Sequence, residues 1–212
     1  MSYLVSILIA FGVILVSMML HELAHGYMAY ALGDDTAKLE GRLTLNPLKH
    51  LDPVLSLLMP LLLFLSGGPI FGGAKPVPVD SRNLKYGAWG MALVAFAGPM
   101  TNFILAFVAF LIGHFTGILY AGGVIGAICV DFVTINLGFG IFNLIPVPPL
   151  DGSRILYAIA PDPIRDLMER IERWGIIVVM VLVVVATPLI STIMSGAMDG
   201  ILTAFYWLVG VR

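Results

Sequence analysis

Residues 3–31 read YLVSILIAFGVILVSMMLHELAHGYMAYA, an apolar run interrupted near its end by His21, Glu22 and His25. A run of this length exceeds the roughly 20 residues that a helix needs to cross a bilayer, so a membrane span is predicted here. At 1.5 Å per residue the three ionisable groups lie about 12–18 Å from the helix end near Gly33. Ionisable side chains at that depth are costly and usually functional. His21 and His25 are four residues apart, which sets them about 40° apart around the axis on one face. Two imidazoles at that offset can hold one tetrahedral zinc, and the carboxylate of Glu22 then stands beside it as a general base. The competing reading, a chance HExxH whose histidines are satisfied by hydrogen bonds, is weakened by the burial of the motif in a membrane helix.

The rest of the chain has the same character. Hydrophobic residues make up 59% and charged ones 11%, against about 45–50% and about 25% in soluble proteins. An all-α polytopic membrane protein is predicted, as a single domain over residues 1–212, with spans at about 3–31, 88–112, 123–145, 174–192 and 196–211. The stretch Pro53–Phe71 carries Pro60 and the breaker Gly67-Gly68-Pro69, so it reads as re-entrant and not spanning. The basic residues support this. If 53–71 dips in and returns, every Lys and Arg falls on one side of the membrane. The N-terminus is then outside, and the site opens to the cytoplasm of a multi-pass protein of the cell membrane. The first run has neither a basic n-region nor a small-residue cleavage site, so it is read as a retained span.

Smaller features complete the frame. Residues 161–174 alternate apolar and charged side chains at helical spacing, as an interfacial helix does. Residues 38–45 and 74–79 read as edge strands, a small β element near the cytoplasmic face. Pro76 and Pro78 blunt one edge of the second, while Lys75, Val77 and Val79 keep their amides on the other. A net charge of -2 argues against nucleic acid as a partner. The single Cys129 excludes an internal disulfide framework and a cysteine metal site.

A catalytic zinc with two histidines requires a third protein ligand and an open position. Asp131 lies near the outer end of the 123–145 span. Asp151 follows Asn143-Leu144-Ile145-Pro146-Val147-Pro148-Pro149-Leu150, whose prolines end the helix and favour extended backbone. Irregular backbone at membrane depth is tolerated only inside protein or along a wet cavity, so this segment can fold back and aim Asp151 at the first helix. The alternative is that Asp151 caps the next helix. His50 and Asp52 are read as loop polar residues, not as a second metal site.

The motifs HELAH at 21–25, Gly98-Pro99-Met100-Thr101-Asn102, and NLIPVPPLDG ending at Asp151-Gly152 together resemble the signature set of the site-2 protease family, in the right order and across nearly the whole chain. That resemblance implies a zinc metalloprotease with one zinc per chain, ligated by His21, His25 and Asp151, with Glu22 as general base. It implies substrates that are membrane-anchored proteins cut in or beside their own spans, within the lipid bilayer. The chain is a minimal form, with no room for an inserted PDZ or CBS module. Asn143 and Asn102 are candidates for binding the substrate or its transition state, because a buried amide can donate to a developing oxyanion; either can equally cross-link helices. The rival function is a membrane metal-ion transporter using the same cluster as a transit site.

Overall fold

A computed structural model of the chain describes residues 3–53, 74–185 and 187–211. The first apolar run forms α1, Tyr3–Ala31, one helix from end to end. A short α2 follows, Thr36–Leu39. Then come α3, Ala88–Thr116, and α4, Gly123–Asn143, which ends just before the proline-rich turn. Two short helices lie beyond that turn, α5, Asp151–Ile159, and α6, Asp162–Glu172. The last helices are α7, Ile176–Val185, and α8, Thr187–Leu208.

The organising element is α3, which packs against α1, α4 and α5. Its buried positions include Gly90, Ala92, Ala95, Gly98, Ala106 and Gly113. Small side chains let helix backbones approach closely where lipid supplies no hydrophobic drive for helix association. Away from the ionisable groups, Phe110 of α3, Val133 and Leu137 of α4, and Phe205 of α8 fill an apolar core.

Among the described residues, four helices are long and apolar enough to cross a membrane: Tyr3–Ala31, Ala88–Phe115, Gly123–Asn143 and Pro188–Leu208. The expected break at 193–195 is absent, since α8 runs through it. With 10 residues, α7 is about 15 Å long, half a bilayer core. The direction of α8 also departs from the placement of every Lys and Arg on one side, which requires the chain to end at the cytoplasmic face with Arg212. Met198 lies beside Gly138, whereas the rings of Phe205 and Tyr206 pack against Phe110, tilted and edge-on, near the His114 end of α3. The last helix therefore ends at the same face as the 117–122 connection, opposite the ionisable cluster.

Beyond Pro53, the predicted re-entrant segment lies outside the described residues. Its flanks meet, because the Lys75 N–H donates to the His50 carbonyl at 2.8 Å and the Arg42 guanidinium donates to the Lys75 carbonyl at 2.8 Å. Both flanks thus sit on one side of the bundle.

The predicted β element is not seen, and no strand forms among the described residues. Residues 38–45 hold the end of α2 and turns. Residues 74–79 have no ladder partner because their amides are used elsewhere: that of Lys75 goes to His50 and that of Val77 to Glu22. The helix expected within 161–174 is present as α6, tied to α5 by an Arg154–Glu172 ion pair and by Tyr157 donating to Glu169 at 2.8 Å. Asp162 is its first residue, with Pro163 in the first turn.

Candidate metal centre

His21 and His25 point from α1 toward the turn of α3 at Gly98. A Cβ added at Gly98 would lie 2.5 Å from His25 Cε1 and Nε2, and 2.7 Å from His21 Cε1. Only a glycine leaves space for both rings. One turn earlier, the Val94 carbonyl accepts from His25 Nδ1 at 2.7 Å. Pro99 has no N–H for the neighbouring Ala95 carbonyl and crowds that turn, which loosens the helix where Val94 must serve a side chain. Asn102 Oδ1, a turn further on, accepts from His21 Nδ1 at 2.6 Å. All of Gly98, Pro99 and Asn102 thus serve the two imidazoles.

The proline-rich turn after α4 brings the third group. Asp151 is the first residue of α5, and the N-cap position is Leu150. Its Oδ2 lies 3.1 Å from His21 Nε2 and 3.4 Å from His25 Nε2, and the two Nε2 atoms are 3.0 Å apart. Gly152 permits this placement, because a Cβ there would meet the Leu144 carbonyl oxygen at 2.2 Å.

The three donor atoms form a triangle with sides of 3.0–3.4 Å. Metal–ligand bonds of about 2.0–2.1 Å put tetrahedral donors about 3.3–3.4 Å apart, so the triangle fits one face of a zinc tetrahedron. The buried Asp151 Oδ2 has no hydrogen-bond donor of its own, which would be costly unless a cation or donor meets it. Both Nδ1 atoms face acceptors, so each ring carries its proton at Nδ1 and presents the Nε2 lone pair inward. The residues present fit a bound zinc ion.

Glu22 is held separately, its Oε2 accepting the Val77 N–H at 2.8 Å. A cavity of about 340 Å³ joins these groups; its wall includes Glu22, Val77, Asn143, Asp151 and Arg154. Asn143 lines this cavity, donating to the Phe139 carbonyl at 3.0 Å. Asn102 lies fully buried behind His21. His50 is not part of the cluster; its Nε2 meets the Thr44 carbonyl at 2.8 Å.

Comparison with protein families matches residues 9–186 to peptidase family M50. The chain belongs to peptidase family M50. This is the site-2 protease family, and the chain is accordingly a metalloendopeptidase. Similar proteins carry names that assign them as zinc metalloproteases. YwhC of Bacillus subtilis is 41% identical over 202 residues, covering 91% of this chain and 88% of its own. Rip2 of Mycolicibacterium smegmatis is 31% identical over 179 residues, covering 84% of this chain and 66% of its own. Rip2 of Mycobacterium tuberculosis strain H37Rv is 30% identical over 206 residues, covering 92% and 70%. No solved structure matches the chain.

Several features of this site are not visible in the sequence alone. Asn136 and Ser17 lie behind Asn102, joined to it by hydrogen bonds. A signal was present in each, a polar residue inside an apolar helix, but nothing in the sequence paired them. The Val94 carbonyl and the Val77 amide are backbone groups, which no side-chain motif reveals.

Proposed function

We propose that this chain is a single-domain, zinc-dependent intramembrane endopeptidase that hydrolyses peptide bonds in or near the spans of membrane-anchored proteins. The observation that carries it is the convergence of His21, His25 and Asp151 on one point inside the helix bundle, with Glu22 and Asn143 on the wall of the same cavity. His21, His25 and Asp151 would hold the zinc, one per chain. When bound, zinc supplies Lewis acidity that polarises a carbonyl and makes a water nucleophilic at neutral pH.

The remaining chemistry belongs to side chains. Glu22 takes a proton from the attacking water. Its Oε2 is engaged by the Val77 N–H, so we assign Oε1 as the acceptor. Asn143, at the end of α4, donates to the substrate carbonyl as negative charge develops there. Its bond to the Phe139 carbonyl uses one amide hydrogen and leaves the other.

Ten of the basic residues, from Lys38 to Arg173, fall in segments at the site's end of the bundle, and the 117–122 connection has none. That asymmetry supports a cytoplasm-facing site with the N-terminus outside. Family membership does not favour the transporter reading.

The test uses the purified chain in liposomes with a single-span reporter protein. Cleavage that a chelator abolishes and zinc restores supports the proposal. Zinc flux without cleavage would instead establish the transporter, and cleavage confined to soluble unfolded peptides would remove the intramembrane part.

A further inference from the structure

The two imidazoles are anchored by routes of different length. His25 reaches a backbone carbonyl directly, at Val94. His21 reaches one through two side-chain amides. Asn102 accepts from His21 Nδ1 at 2.6 Å and donates through Nδ2 to Asn136 Oδ1 at 2.9 Å. Asn136 Nδ2 then donates to the Phe132 carbonyl at 2.8 Å and to Ser17 Oγ at 2.9 Å. Ser17, Asn102 and Asn136 are all fully buried.

We infer that Asn136, on α4, is a positioning residue for the metal: it sets the orientation of the Asn102 amide and, through it, the tautomer of His21. This rests on the reading of His21 as a zinc ligand.

A backbone carbonyl only accepts, so the Asn136 group facing Phe132 must be its NH2. The Asn136 oxygen then faces Asn102, which must answer with its own NH2. That leaves the Asn102 oxygen for His21, whose Nδ1 must carry the proton. The Nε2 lone pair is thereby committed to the metal position. The Ser17 hydroxyl can donate or accept, so the Phe132 carbonyl fixes the direction of the chain and Ser17 only completes it. A flipped Asn102 would present its NH2 to His21 Nδ1, force the proton onto Nε2 and aim it at the metal. In a buried site that flip also sets the Asn102 oxygen against the Asn136 oxygen, two acceptors with no proton between them. The relay thus makes His21 a ligand before zinc arrives.

The competing role, a plain cross-link between α1, α3 and α4, makes different expectations for zinc. The experiment measures zinc affinity by chelator competition on the full purified chain, and the unfolding midpoint of the metal-free form. Asn102→Leu should weaken zinc binding about 10–100-fold, the usual cost of losing a partner of a ligating histidine. Asn136→Leu, one step further out, should weaken it about tenfold, the lower end of that range. Asn102→Asp should stay close to the parent, because a neutral carboxylic acid in the membrane can accept from His21 and still donate to Asn136. Zinc affinity within twofold of the parent in Asn136→Leu would overturn the inference and leave only the cross-link. A second measurement requires no variant: nitrogen NMR of the histidine-labelled, metal-free chain should show His21 protonated at Nδ1, and a His21 ring that carries its proton on Nε2 with Nδ1 bare would overturn the relay outright. A parent chain that binds no zinc would instead strike the ligand assignment itself.

Discussion

The floor and the roof of the cavity are made of different material. On the floor, His21, His25 and Asp151 are carried by helices whose separation is set by Gly98 and Gly152, positions where a methyl group would collide. On the roof, Glu22 is met by one backbone amide from an extended segment, Val77. That segment is anchored by loop hydrogen bonds: Lys75 to His50, and Asp80 to the buried Asp34. The floor fixes where a cation can sit, and the roof fixes how the base is turned toward it. Metal retention and turnover should therefore come apart under mutation, depending on which side is touched.

The largest effect is expected on the floor. His21→Ala, His25→Ala or Asp151→Ala should each strip nearly all zinc from the purified chain, because two remaining ligands hold a catalytic ion poorly. Elemental analysis of zinc per chain is the check, and full occupancy in Asp151→Ala would remove that residue from the ligand set.

Gly98→Ala tests the same floor through its spacing. The added Cβ falls within 2.7 Å of both rings, so zinc affinity should drop at least tenfold, as it does when the support of a ligating histidine is disturbed. Gly12→Ala is the matched control in another membrane helix, since nothing lies within 4 Å of the Cβ it would gain. Equal zinc affinity in the two variants would mean that the α1–α3 separation does not set the site.

Val77→Pro removes the amide that meets Glu22 and leaves the ligands alone. Zinc content should stay near the parent value, while cleavage slows roughly tenfold, about what one charge-assisted hydrogen bond is worth. Loss of zinc in this variant would merge roof and floor into one unit.

The smallest effect concerns the base of the roof. Burial pushes the Asp34 carboxyl up, but bonds from Thr36, from the Asp80 amide and from Asn83 outweigh it and hold the group below the ordinary carboxylate range. A depressed folded-state pKa stabilises fully above the unfolded value of about 3.9, and that stabilisation is lost as pH falls through the folded value. The unfolding midpoint should thus fall on acidification below about pH 4, and Asp34→Asn should be less stable at neutral pH with a shallower acid limb. Parallel curves for parent and variant would mean that Asp34 carries no such linkage.

The floor was legible in the sequence and the roof was not, for a physical reason. A helix fixes the relation between positions four apart, so His21 and His25 could be placed on one face from their spacing. The prolines before Asp151 announced a return of the chain. By contrast, the pairing of Asn136 with Asn102 depends on how α3 and α4 pack, which no local pattern encodes. Pro76 and Pro78 leave the amides of Lys75 and Val77 available, but the strand expected there does not form, because those amides go to His50 and Glu22, which lie far along the chain. At the C-terminal end the helix-start signal is Thr187-Pro188, with proline in the first turn, and α8 begins there and runs through the break expected at 193–195.

The account stands most directly on Glu22. It is the ionisable group placed in the cavity wall by the same helix as the two histidines, yet assigned to proton transfer and not to the metal. Glu22→Gln preserves its size, so zinc per chain should remain near one while cleavage of a membrane-embedded reporter falls by about 10²–10⁴-fold or more, the usual cost of losing a general base. A Glu22→Gln chain that keeps its zinc and still cleaves at the parental rate would contradict the mechanism.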